Sequence, residues 1–118
     1  RLEDLNGCLW SDGELEPSDF VLETADLLRE AGPWGQGFPE PLFDGVFEVT
    51  AHRIMKEQHL KLWLRLPGMT KPVEAVAFGR AGDFAPGTTR LRVAYKLDVN
   101  EWRSERRLQL RVEHLEPA

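Results

Sequence analysis

The stretch Arg90-Leu91-Arg92-Val93-Ala94-Tyr95-Lys96-Leu97-Asp98-Val99 decides the fold. Leu91, Val93, Tyr95, Leu97 and Val99 occupy every second position, with Arg90, Arg92, Ala94, Lys96 and Asp98 between them. A period of two places the apolar set on one side of an extended strand and scatters it around a helix. The same period recurs on both sides. Upstream, Phe47, Val49 and Ala51 alternate with Glu48, Thr50 and His52, and Leu60, Leu62, Leu64 and Leu66 alternate with His59, Lys61, Trp63 and Arg65. Downstream, Leu108, Leu110 and Val112 alternate with Arg107, Gln109, Arg111 and Glu113. The small apolar run Val73–Gly79 reads as a strand covered on both faces. Lys56–Gln58 and Asn100–Glu105 are expected to form tight hairpins.

Five strands in residues 45–118, each with one apolar face, must curl to hide that face. The expectation is a mainly β fold: a five-stranded closed barrel of the oligonucleotide/oligosaccharide-binding (OB) type, with an SH3-like barrel fitting the same pattern. Ahead of it, residues 17–31 read as a helix. Pro17 suits the first turn, Asp19 and Glu23 the positive end, and Gly32-Pro33 the stop. Phe20, Val21, Ala25, Leu28 and Ala31 share a face, with Leu27 at its margin. A short strand is expected at Cys8–Ser11. Between helix and barrel, residues 32–44 are rich in Gly and Pro and are expected to be irregular, yet Trp34, Phe38, Leu42 and Phe43 mark a fixed connector, with Trp34 as an anchor.

Composition limits the chemistry. The chain has 118 residues, the length of one domain or of one domain plus an appendage, and is 42% hydrophobic and 30% charged, the balance of a globular protein. No apolar run is long enough to cross a bilayer, and one cysteine, Cys8, makes neither an intrachain disulfide nor a zinc site, which points to the cytoplasm. Opening on Arg1 with only Met55 and Met69, the chain is expected to be a fragment of a longer protein. Its net charge of -5 divides unevenly: residues 1–44 carry 11 acidic and 2 basic side chains, and residues 45–118 carry 9 and 13. A basic half beside an acidic one hints at a nucleic-acid surface, although a solvated acidic helix gives the same sums. Gly35-Gln36-Gly37 is half a dinucleotide fingerprint, but Pro39 and Pro41 prevent a helix from opening there. His52, His59 and His114 lie outside any metal-ligand spacing, and Ser11, Ser18 and Ser104 outside any nucleophile motif. No catalytic residue is expected in the chain.

The segment Gly32-Pro33-Trp34-Gly35-Gln36-Gly37-Phe38-Pro39-Glu40-Pro41, followed by Phe43-Asp44-Gly45, resembles a signature of the RecJ single-strand-specific exonucleases. His59-Leu60-Lys61, Ala77-Phe78, Ala94 through Glu101 and Ser104 through Val112 are similar to that family's OB domain. The resemblance implies that residues 45–118 are the OB domain and residues 1–31 the end of the smaller domain bearing a Gly-Gly-Gly-His motif. It also implies an Asp-His-His catalytic domain outside this chain that uses Mg or Mn. The parent would degrade single-stranded DNA from the 5′ end in recombination and repair. The fragment itself would carry no cofactor and be inactive alone. Partners implied are single-stranded DNA, the catalytic domains and a single-stranded-DNA-binding protein, with no membrane.

The candidate binding residues centre on the outward face of the second barrel strand, Lys61, Trp63 and Arg65, where a ring between two cations suits a base flanked by phosphates. Arg53, Lys56, Lys96, Arg103, Arg106 and Arg107 extend the patch, with Trp102 as a second platform. Trp63 equally suits packing against a neighbouring domain or the 17–31 helix. Two alternatives therefore stand beside DNA binding: a protein-docking OB module for the catalytic core or a repair partner, and an RNA-binding OB domain.

Overall fold

The computed structural model describes residues 2–4, 7–9, 12–31 and 40–118. Two short antiparallel strands, β1 (Leu2–Asp4) and β2 (Gly7–Leu9), form a hairpin. Of the expected strand at Cys8–Ser11, Cys8 and Leu9 lie in β2, whereas Trp10 and Ser11 lie outside the described residues, as does the expected anchor Trp34.

The expected 17–31 helix is two pieces. A 3-10 turn at Pro17–Asp19 is closed when the Asp19 carboxylate accepts the Glu16 N–H at 2.9 Å. The chain then leaves the helical region, with Val21 extended at φ -136° and ψ 159°, and α1 begins at Leu22 and ends at Glu30. The break turns Phe20 into the barrel, where its ring meets Phe47 and Tyr95 at 5.9 and 6.0 Å. Ala25 and Leu28 face the core, whereas Val21, Leu27 and Ala31 are exposed, so the buried stripe is narrower than the periodicity suggests.

The barrel comprises β3 (Phe43–Met55), β4 (His59–Arg65), β5 (Val73–Ala77), β6 (Arg90–Trp102) and β7 (Glu105–Pro117). It closes in the order β3-β4-β5-β7-β6, and β5 and β7 run parallel. That topology is the OB barrel. Leu60, Leu62, Leu64, Phe47, Leu91, Val93, Tyr95 and Leu110 fill the interior. β3 starts at Phe43, inside the stretch expected to be irregular, because Phe43, Asp44 and Gly45 continue the ladder to Tyr95, Ala94 and Val93.

Two irregularities change which way side chains face. In β3 the register shifts between Val49 and Ala51, and Thr50 Oγ1 donates to the Trp63 carbonyl at 2.9 Å. Beyond it, Ala51 and Arg53 pair with Trp63 and Lys61, while His52 and Ile54 pair with Leu62 and Leu60. The bulge therefore moves Arg53 from the core phase of Phe47 and Val49 to the outer face. In β7 a second shift, opposite Ala94/Tyr95, carries the buried set from Val112 to Leu115, which is why plain alternation stops at Glu113.

Both long hairpins turn through left-handed backbone on ordinary side chains: Lys56 and Glu57 at φ 53° and 62°, Arg103 and Ser104 at φ 50° and 65°. Each such residue costs about 1–2 kcal/mol. The second turn holds only Arg103 and Ser104, tighter than the expected Asn100–Glu105. Ser104→Gly should stabilise the fold by about 0.5–1 kcal/mol, part of the relief being offset by glycine's chain entropy. An unchanged urea midpoint would contradict the strain.

Tyr95 is the sole tyrosine, and burial, reinforced by Asp44, pushes its phenol well above the ordinary range. Above about pH 10 the unfolded chain releases a proton that the folded chain keeps, so the stability contributed by Tyr95 is fully present below that pH and is lost above it. In an alkaline titration, tyrosinate absorbance should rise only together with loss of the β circular-dichroism signal. Ionisation of Tyr95 in the folded state would refute its enclosure.

Candidate nucleic-acid interface

Strand alternation sets the outer face. Along β4, Leu60, Leu62 and Leu64 are fully buried, and Lys61, Trp63 and Arg65 point the other way, each half-buried. Register places Arg53 of β3 beside Lys61, and Glu74 of β5 beside Trp63. The parallel ladder then sets Glu74 beside Gln109, with Arg107 one pleat earlier on the same face of β7 and Asn100 across from it on β6.

Trp63 is less open than an outward tryptophan would be in isolation, because Lys61 Nζ lies over its ring at 5.2 Å. The open aromatic is Trp102, 64% exposed at the end of β6, with the Arg103 guanidinium 4.4 Å over its ring. Between Trp102 and β4 runs a groove of about 430 Å³ lined by Arg53, Lys61, Asn100 and Arg107, with two carboxylates, Glu74 and Glu105. Six of the candidate residues thus converge: Arg53, Lys61, Trp63, Trp102, Arg103 and Arg107. Lys56 is exposed in the β3–β4 turn.

The remaining candidates lie elsewhere. Arg65 is held by both carboxylate oxygens of Glu48 at 3.2 Å and by the Met69 carbonyl at 3.3 Å. Lys96 pairs with Glu113 at 3.3 Å and Glu40 at 3.9 Å, and Glu40 also holds Arg111 at 2.8 Å. Arg106 is adjacent to Arg107 in sequence but points to the opposite side of β7, where it bonds Asp26 of α1 and lies 3.8 Å from Glu101. Donating a hydrogen bond to the Asp26 carboxylate raises the Arg106 guanidinium above its ordinary value. Helix α1 packs mainly on β6 and β7, with Asp26 on the Arg106 side of β7.

Sequence reasoning missed three side chains. Phe78, directly after β5, is 61% exposed, and its ring meets His59 edge-on at 5.4 Å. His59 accepts the Gly79 N–H on Nδ1 at 2.9 Å and shares the outer face with Lys61. Reading Val73–Gly79 as covered throughout hid this aromatic end. Glu74 is the third, and its signal was available: it is the one charged residue in that apolar run.

A family model described as the RecJ OB domain matches residues 11–114. The chain belongs to the RecJ OB-domain family. The matched span takes in α1 as well as the whole run from β3 to β6. Relatives called single-stranded-DNA-specific exonuclease RecJ include those of Dickeya dadantii, 46% identical over 96% of this chain, and Haemophilus influenzae, 43% identical over 98%. The chain spans about one fifth of the length of these RecJ relatives, 20% and 21% respectively. Among solved structures it is similar to Thermus thermophilus RecJ in complex with Mn²⁺, with a TM-score of 0.74 and 25% identity over 93% of this chain and 16% of that one. The same RecJ with Mg²⁺ gives 0.69 and 27%, over 91% and 16%. Among the described residues no group of three His, Cys, Asp or Glu side chains is placed to hold a metal ion. No helix among them is long and apolar enough to cross a membrane.

The contact between Arg106 and Asp26 ties α1 to the barrel. Asp26→Asn and Arg106→Gln should each lower the urea midpoint, and the double variant should lower it no further than the larger single effect. Strictly additive losses would show that the two side chains act independently.

Proposed function

We propose that the outer face between the two long hairpins binds single-stranded DNA and delivers it to a RecJ-type 5′-to-3′ exonuclease centre outside this chain, in recombination and repair. The observation that carries the proposal is the exposed Trp102 ring, backed by Arg103, at the mouth of a groove lined by Arg53, Lys61 and Arg107. A base stacks on the open indole while the backbone follows the cations, an arrangement single strands accept and duplexes deny, since paired bases hide their faces. OB barrels use this face and these two loops for oligonucleotides. Residues 1–31 would be the end of the preceding domain, with α1 docked under the β6–β7 arm. The Mg²⁺ or Mn²⁺ of the parent enzyme would belong to its catalytic domain.

Titration of labelled oligo-dT, followed by anisotropy, tests this. Binding should exceed that of duplex and have a log–log salt slope near -3 if about four phosphates are neutralised, at about 0.7 per contact. Trp102→Ala should cost about 1–3 kcal/mol, and Trp63→Ala less, because Lys61 covers that ring. Arg107→Gln should weaken binding, whereas Arg106→Gln should leave it unchanged. A preference for duplex, or equal binding by Trp102→Ala, would refute the reading. An oligo-rU arm separates an RNA-binding domain, since only ribose offers the 2′-OH.

A further inference from the structure

Glu74 is the one carboxylate that reaches across the groove floor to two of its cations. Its Oε1 lies 2.8 Å from Lys61 Nζ, and its Oε2 lies 3.7 Å from an Arg107 guanidinium nitrogen. Two oxygens on one anionic centre, each facing a different cation, reproduce the pair of non-bridging oxygens of a phosphodiester. The backbone cannot carry Glu74 away, because it is paired on both sides, to Trp63 of β4 and to Gln109 of β7. Its side chain is only 16% exposed, whereas that of Arg107 is 58% exposed. The carboxylate is therefore fixed and the arginine has room to turn.

Resting on the DNA-binding reading above, we infer that Glu74 is an affinity-limiting residue: it occupies a phosphate position between Lys61 and Arg107, and each phosphate that passes must draw these cations, Arg107 first, away from it. Without it, the two cations form a phosphate site of net charge +2. With it, the site carries +1, and an incoming phosphate competes with a resident anion. The Arg107 arm of the site is exposed and only loosely held at 3.7 Å, and such an ion pair is weak and exchanges readily, so the competition there is reversible. The consequence is a groove that holds a strand loosely enough for it to slide, as feeding an exonuclease requires. Glu105 repeats the arrangement at the rim, 3.4 Å from Arg107, but it is far more exposed and so more fully screened.

The opposing physical possibility is that Glu74 organises the groove, keeping Lys61 over Trp63 and Arg107 nearby, so that its loss would splay two like charges and weaken binding. Glu74→Gln decides between them, since it keeps the size and one acceptor oxygen and removes the charge. Glu74→Ala provides a second variant, Glu105→Gln a rim comparison, and Glu23→Gln on α1 a control for net charge. All are measured with the 118-residue chain against labelled oligo-dT at several salt concentrations, after thermal melts establish that each variant is folded.

The expected result is about three- to tenfold tighter binding for both Glu74 variants at low salt, with the salt slope steeper by about 0.7–1.4 as one or two more phosphates are engaged. Glu105→Gln should give a smaller gain and Glu23→Gln none. Wild-type binding with unchanged or weaker binding by both Glu74 variants would overturn the inference and leave the proposed function standing. Equal gains for Glu74→Gln and Glu23→Gln would also overturn it, as a net-charge effect. No binding by any chain at low salt would overturn the proposed function itself.

Discussion

Three residue pairs hold the molecule in its form. Glu74, Ala75 and Val76 of β5 run parallel to Gln109, Leu110 and Arg111 of β7, and this short ladder turns a five-stranded sheet into a barrel. Every other barrel pairing is antiparallel, and the two long hairpins form through turns of a few residues. The parallel pair joins segments far apart in sequence, and its closure entropy must be met by the core it encloses. Ala75 and Leu110 lie at its centre, both fully buried. Closure removes the free edges of β5 and β7. It also creates the groove, because only across this seam does Glu74 come within reach of Arg107.

Much of the fold was legible because burial on one side of a strand writes itself into every second residue. The long β6 segment, the three inward leucines of β4 and the Val73–Ala77 part of the run Val73–Gly79 became strands of the barrel. What plain alternation could not show were the bulges. Counting from Phe47 assigns Arg53 to the core, and only the register shift at Val49/Ala51 returns it to the outer face beside Lys61. Counting from Leu108 loses the core phase after Val112, although Leu115 is buried. The break between the Pro17–Asp19 turn and α1 was invisible for a different reason. Phe20 satisfies the helical spacing, but leaving the helix lets its ring join Phe47 and Tyr95, and aromatic burial outweighs the lost turn.

The site was legible as a set of residue types and less so as an arrangement. Lys61, Arg53, Arg107, Trp102 and Arg103 do share a face, which residue counting alone cannot establish. Arg106 does not, since one residue along a strand reverses direction, and its partner is the helix. The acidic half of the chain also reaches the basic half at defined points, Asp26 on Arg106 and Glu40 on Arg111 and Lys96. The uneven charge division in the sequence is thus partly internal neutralisation.

The central claim is that this face, and not the helix side, receives the strand. Mapping amide and indole N–H shifts by heteronuclear NMR during titration with oligo-dT tests it most directly. The indole signals of Trp102 and Trp63 and the amides of β4, β5 and the Arg103–Ser104 turn should move, while those of Leu22–Glu30 stay fixed. Shifts confined to α1 and the Pro17–Val21 segment, with the Trp102 indole unmoved, would contradict the account.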